Sequence, residues 1–172
     1  AGTLLNTGEA YASAKQAGIS RNSCYLTNVV KIRPPYNDFK KLHLIDVDLN
    51  QSIESLWADE IRLRKPKCIL AVGDEALQAV CCVSGILNYR GSILTAKDGV
   101  TKCVPTIHPA ALFSRGDTGG LEYTYLKLIE ADVCRAVEES KTRTLILPDR
   151  QLDVCHSSLD AWRFFEKYKT LD

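Results

Sequence analysis

The 172-residue chain predicts an α/β domain, a three-layer α/β/α sandwich around a central, mainly parallel sheet of about four or five strands. Three observations carry that expectation. Apolar residues recur at helical spacing through DLNQSIESLWADEIRLR and LEYTYLKLIEADVCRAVEE. Short continuous apolar runs, CILAVG and KCVPTI, suit strands covered on both faces. The two kinds of segment also alternate along the chain, in the order that layered domains require.

Taken in order, Leu4, Leu5, Tyr11, Ala12 and Ala14 predict a helix ended at Gly18, a natural left-handed cap. Residues 24–30 read as the first strand. Ile53, Leu56, Trp57, Ile61 and Leu63 mark the next helix, with Asp48 or Asn50 as its cap and Pro66 as its stop. Residues 68–72 form a strand closing on Gly73, and DEALQAVCCV resumes helix, with Asp74 as an N-cap. RGSILTAKDGVTKCVPTI reads as two strands joined across Asp98-Gly99, with residues 103–107 central in the sheet. A long helix follows. The charged stretch EESKTR then marks a junction, which divides the chain into residues 1–138 and 139–172.

Composition narrows the function classes. A hydrophobic fraction of 45% and a charged fraction of 25% are ordinary for a globular domain. A net charge of +1 gives no global field for nucleic acid, so such a partner must meet a local patch. No apolar run approaches the roughly 20 residues that cross a bilayer and no signal peptide opens the chain, so a cytoplasmic location without membrane contact is expected. The absence of Met predicts a processed or truncated chain. Seven cysteines at irregular spacing, with no CxxC pair, predict reduced core thiols and no metal site.

In open parallel sheets the loops at the carboxyl ends of strands build the site. KIRPPYND, GDEA and HPAALFSRGDTGG occupy those positions. The segment TNVVKIRPP raises a question of its own, because an Asn inside an apolar run either caps a turn or is presented to a ligand. His108 before Pro109 is likewise either a turn residue or a functional one.

The segment TNVVKIRPPYN resembles the "TNVVKCRPPxN" motif of the family 4 uracil-DNA glycosylases. KPKCILAVGDEAL is similar to their strand-turn-helix motif, Tyr89-Arg90-Gly91 to their "LRG", PTIHPAAL to their "PTYHPAAL", and AGTLL to the "AGxLL" that opens the helix after their first active-site motif. The matches keep the family's order over about residues 1–138. The resemblance implies excision of uracil from DNA. A flipped-out base would be read by the Asn28 amide beside Pro109, and His108 would stabilise the negative charge left on uracil O2. Leu112 or Phe113 would wedge into the vacated stack, and Lys31, Arg33, Arg90 and Arg115 would meet phosphates.

The departures from the pattern carry equal weight. The family's first motif, a "GEAPG"-like loop that positions the attacking water, would precede Ala1, as would the aromatic residue that stacks on the flipped base. Two of the four cysteines that hold the family's iron–sulfur cluster would also precede Ala1; the other two positions are Ile32 and one near Asp48, so no cofactor is expected. The chain therefore resembles cluster-free relatives, including glycosylase-like domains fused before some phage family A DNA polymerases. Its tail, from TLILPDRQ onward, resembles the lead-in to a proofreading exonuclease. Fused exonuclease and polymerase domains are accordingly expected partners besides DNA. Two functions stay open: an active uracil-DNA glycosylase, or a catalytically inactive glycosylase fold kept as a DNA-binding or interaction module.

Overall fold

The computed structural model describes residues 23–113, 123–146 and 154–169. The helix expected before Gly18 lies outside them, as does Arg115. Residues 24–30 do not form the expected strand; the chain runs irregularly and bends over residues 29–32. A strand needs an edge to pair with and an apolar face to bury. Here only Val30 is buried, and the Lys31 ammonium donates to the Asn28 carbonyl at 2.8 Å, which draws the segment into a turn. Two 3-10 turns follow, Pro35–Asn37 and Phe39–Ile45.

Helix α1 (Leu49–Ser55) begins at Asp48, whose carboxylate accepts from the Asn50 N–H at 2.7 Å. It runs on through a π-helical stretch (Leu56–Ile61) into α2 (Arg62–Arg64). Lys65 ends it in the left-handed conformation at φ 46°, and Pro66 bars continuation. Strand β1 (Cys68–Val72) leads through Gly73 into α3 (Asp74–Cys81). Gly73, not Asp74, is the N-cap of α3. The Asp74 carboxylate instead accepts from the N–H groups of Gly85 (2.6 Å) and Ile86 (3.0 Å), at the start of α4 (Ile86–Tyr89).

Strand β2 (Leu94–Thr95) pairs antiparallel with β3 (Lys102–Thr106). Asp98 organises the turn between them, accepting from the N–H groups of Val100 and Thr101 and from the Thr101 hydroxyl. Strand β3 also pairs in parallel with β1, from Cys68 opposite Lys102 to Val72 opposite Thr106. The sheet order is β1-β3-β2, three strands among the described residues rather than four or five. A 3-10 turn (Pro109–Phe113) follows β3, then α5 (Tyr123–Ser140) and α6 (Ser158–Tyr168). Helix α5 ends at Ser140, within the charged stretch EESKTR.

Alternation along the strands sends side chains to two cores. Ile69, Ala71 and Cys103 join Trp57, Val80 and Ala96 on one face, where the Trp57 indole N–H donates to the Ala79 carbonyl at 2.9 Å. Leu70 joins Ile107, Leu112, Ile129 and Val133 on the other. Helices therefore cover both faces of a sheet with a parallel pair, which is the layered α/β class the sequence predicts. The seven cysteines are free thiols, but only Cys103 is buried; Cys24, Cys82, Cys134 and Cys155 are exposed. Apolar neighbours in sequence mislead here, because a helix turns every third or fourth residue to solvent. Burial pushes the Cys68 thiol up to about 11, so it is inert at neutral pH.

Candidate functional site

The parallel pair β1 and β3 brings the turns that follow both strands together. The Gly73 N–H donates to the Thr106 carbonyl at 2.9 Å, extending the ladder one step beyond β1. Gly73 holds φ +91°, and a β-carbon there would come within 3.2 Å of the His108 β-carbon. Only glycine satisfies both conditions without strain. Its bare backbone gives the His108 side chain a floor to lie on.

The ring of His108 has a defined tautomer. Its Nδ1 accepts from the Ala110 N–H at 3.1 Å, inside the turn that Pro109 starts. In the neutral ring the proton therefore sits on Nε2, which is left as a donor. Partial burial holds the imidazole below the ordinary histidine range, although the nearby Glu75 carboxylate pulls the other way. His108 is exposed and Pro109 is buried, so a reachable donor stands on a fixed base.

Asn28 stands in a second moored segment. Glu60, in the π-helical stretch, accepts from the Tyr25 hydroxyl at 2.7 Å and pairs with the Lys31 ammonium. Lys31 also donates to the Thr27 hydroxyl (2.5 Å) and to the Asn28 carbonyl. The Arg64 guanidinium lies 3.5 Å from the centre of the Tyr25 ring. Burial alone would raise the Glu60 carboxyl, but the donors on Lys31, Thr27 and Tyr25 outweigh it and hold the group at about 2. Asn28 enters this network through its carbonyl, and its exposed side chain belongs to a loop fixed at both ends.

Behind His108, on the α5 side of the sheet, Asp132 is buried at 1% exposure. Arg90 donates to it twice, from Nε (3.1 Å) and from a terminal nitrogen (2.5 Å), and the Thr106 hydroxyl donates at 2.9 Å. Gly91 follows with φ +70°, where a β-carbon would come within 2.7 Å of the carboxylate. The Tyr89-Arg90-Gly91 segment is thus clamped to α5 and to the last residue of β3, two positions before His108. The Arg90 guanidinium, expected on a phosphate, is engaged by this carboxylate.

A model of the uracil DNA glycosylase superfamily matches residues 4–130, more than half of the chain. The chain belongs to that superfamily. No individual curated protein matches it. Within the superfamily, the residues present do not fit an iron–sulfur cluster: Ile32 is an exposed aliphatic side chain, and the Asp48 carboxylate is committed to capping α1.

The remaining sequence-derived assignments separate cleanly. Arg33 is exposed just after the moored Lys31, as a phosphate contact requires. Leu112 is corrected: at 3% exposure it packs with Ile107, Ile129 and Val133, so it is a core residue and not a wedge. The 3-10 turn rotates it inward against α5, and a side chain that anchors a core is not available to fill a base stack. Arg115 and the Phe113 side chain lie outside the described residues. Glu60 and Asp132 escape the sequence reading. Asp132 leaves a signal, an acid between Ile129 and Val133 on an apolar stripe. Glu60 leaves none, because an acid on a charged helix is indistinguishable from a solvated one. Among the described residues no helix is long and apolar enough to cross a membrane.

Proposed function

We propose that this chain is a uracil-DNA glycosylase-like domain that hydrolyses the N-glycosidic bond of a flipped-out uracil in DNA. The observation that carries the reading is the His108 imidazole, whose Nδ1 accepts from the Ala110 N–H so that Nε2 carries the proton of the neutral ring. As the glycosidic bond breaks, negative charge develops on uracil O2. A preorganised neutral donor stabilises that charge without first having to be reoriented. Asn28 reads the Watson–Crick edge, accepting from uracil N3–H and donating to O4, and Pro109 shapes the wall beside it. Arg33 approaches the phosphates, joined by Arg115 and by Lys31 from its place beside Glu60; Arg90, engaged by Asp132, holds the scaffold. In this reading no cofactor takes part, the partner is uracil-containing or single-stranded DNA, and the domain works inside the cell beside replication enzymes.

Release of uracil from a single-stranded oligonucleotide carrying one deoxyuridine tests the proposal in the full-length protein. His108→Ala is expected to slow excision about a hundredfold with DNA affinity nearly unchanged, the scale for losing one anion-stabilising donor. The rate should also fall as pH drops through the depressed histidine value, because protonation removes the neutral ring and the Nδ1 acceptor together. Excision indifferent to His108→Ala refutes the role. No excision by the wild type, with DNA still bound, supports the inactive binding module instead.

A further inference from the structure

We infer that Tyr36 is a stacking platform for an unpaired base of single-stranded DNA, a role separate from those proposed for Asn28 and His108. This rests on the DNA-binding part of the reading above and not on the excision chemistry. Tyr36 adopts φ 55°, ψ 17° within the Pro35–Asn37 turn, a left-handed conformation that a bulky side chain rarely takes. Such strain persists only where the surroundings impose it. Burial does not offset it, because Tyr36 is 85% exposed.

The surroundings impose it through backbone. Pro34 and Pro35 fix the approach to the turn, and the Asp38 N–H donates back to the Pro35 carbonyl at 3.1 Å. The Asp38 carboxylate in turn accepts from the Lys40 N–H at 3.0 Å, which consumes one acidic oxygen inside the turn. The ring is therefore held out by the loop and is not a side chain left at the surface by chance. The Lys41 ammonium sits 4.2 Å from the ring centre, close enough for a cation–π contact.

Charge selects the occupant. Arg33 precedes the ring, as does Lys31, which is paired with Glu60; Lys40 and Lys41 follow it, against Asp38 and Asp46 in the same stretch. Aromatic rings interleaved with cations match a strand whose bases alternate with phosphates, since every base offers a flat face and every linkage a negative charge. Ile32, 59% exposed, adds apolar surface between the two cations that precede the ring. A duplex keeps its bases stacked internally and offers none to such a ring, so the platform favours single strands.

The test is equilibrium binding of the full-length protein to an oligodeoxythymidine of roughly a dozen nucleotides, against an abasic strand with the same phosphates. The wild type should prefer the base-bearing strand by about five- to a hundredfold, the range for one stacked base. Tyr36→Phe should keep the preference. Tyr36→Gly should abolish it while leaving thermal stability equal or higher, because glycine relieves the positive φ. Equal binding of both strands by the wild type, or a preference that survives Tyr36→Gly, overturns the inference. Because neither strand contains uracil, the two proposals fail separately. Base-preferring binding without excision removes only the glycosylase reading, and excision with binding indifferent to Tyr36 removes only this one.

Discussion

Replacing Glu60 with Gln keeps an oxygen for the Tyr25 hydroxyl but removes the charge that Lys31 meets. The carboxyl moves from an ordinary 4.5 to about 2 in the folded chain, which at 1.36 kcal/mol per tenfold would correspond to roughly 3 kcal/mol. That figure must be reduced, because the Lys31 side chain is 54% exposed and water screens the pair. About 1–2 kcal/mol is expected, above an isolated surface pair because Tyr25 and Thr27 also bind the carboxylate. The sign follows from the depressed folded value. The contribution is fully present above pH 4.5 and is lost as pH falls from there towards 2. Urea unfolding of the wild type and Glu60→Gln, measured from neutral pH downward, isolates it, since other titrating groups cancel in the difference. Two stability curves separated by a constant amount from pH 7 to pH 3 would refute the assignment.

Two further outcomes concern the scaffold. Asp132→Ala should destabilise the fold by about 3–5 kcal/mol in urea unfolding, because it strands the part-buried Arg90 guanidinium and the Thr106 hydroxyl together. A loss under about 1 kcal/mol would mean that the clamp is dispensable. Leu112→Ala should cost about 2–5 kcal/mol as a core cavity and leave the DNA affinity of the folded protein unchanged; the reverse pattern would restore the wedge.

Legibility followed burial. CILAV, DEALQAVC and the Asp98-Gly99 hairpin read correctly, because each joins a clear hydrophobic period to a turn residue that admits one geometry. Residues 24–30 failed because an apolar run says nothing about whether an edge exists to receive it. Val29 and Val30 look like strand, yet the hydrogen bonds run from the Lys31 side chain to Thr27 and Asn28. Leu112 failed for the opposite reason: in a 3-10 turn three residues complete a revolution, so one place in register separates a core anchor from an exposed tip. His108 and Asn28 stand out in the sequence as residue types, whereas what holds them does not. Glu60 lies 32 positions from Asn28, and Asp132 lies 24 from His108.

Those two carboxylates also bear on how the proposed site residues could be held on irregular backbone. Neither Asn28 nor His108 sits in a strand or helix; Asn28 precedes a bend and His108 follows a ladder end, where local opening is easiest. In the proposed function an amide reads a base edge and an imidazole meets a developing charge, and both tasks need placement to within a fraction of an ångström. Glu60 supplies it on one side by fixing Tyr25 and Lys31, which bracket Asn28. Asp132 supplies it on the other by fixing Thr106, whose carbonyl receives the Gly73 N–H beneath His108. The two loops are thus fastened to different helices on opposite faces of one sheet, Glu60 within the helix that carries Trp57 into one core and Asp132 on α5 beside the other. Relative movement of the loops then requires repacking against the sheet itself, which a close-packed interior resists. On this view the acids hold still two groups that they never touch.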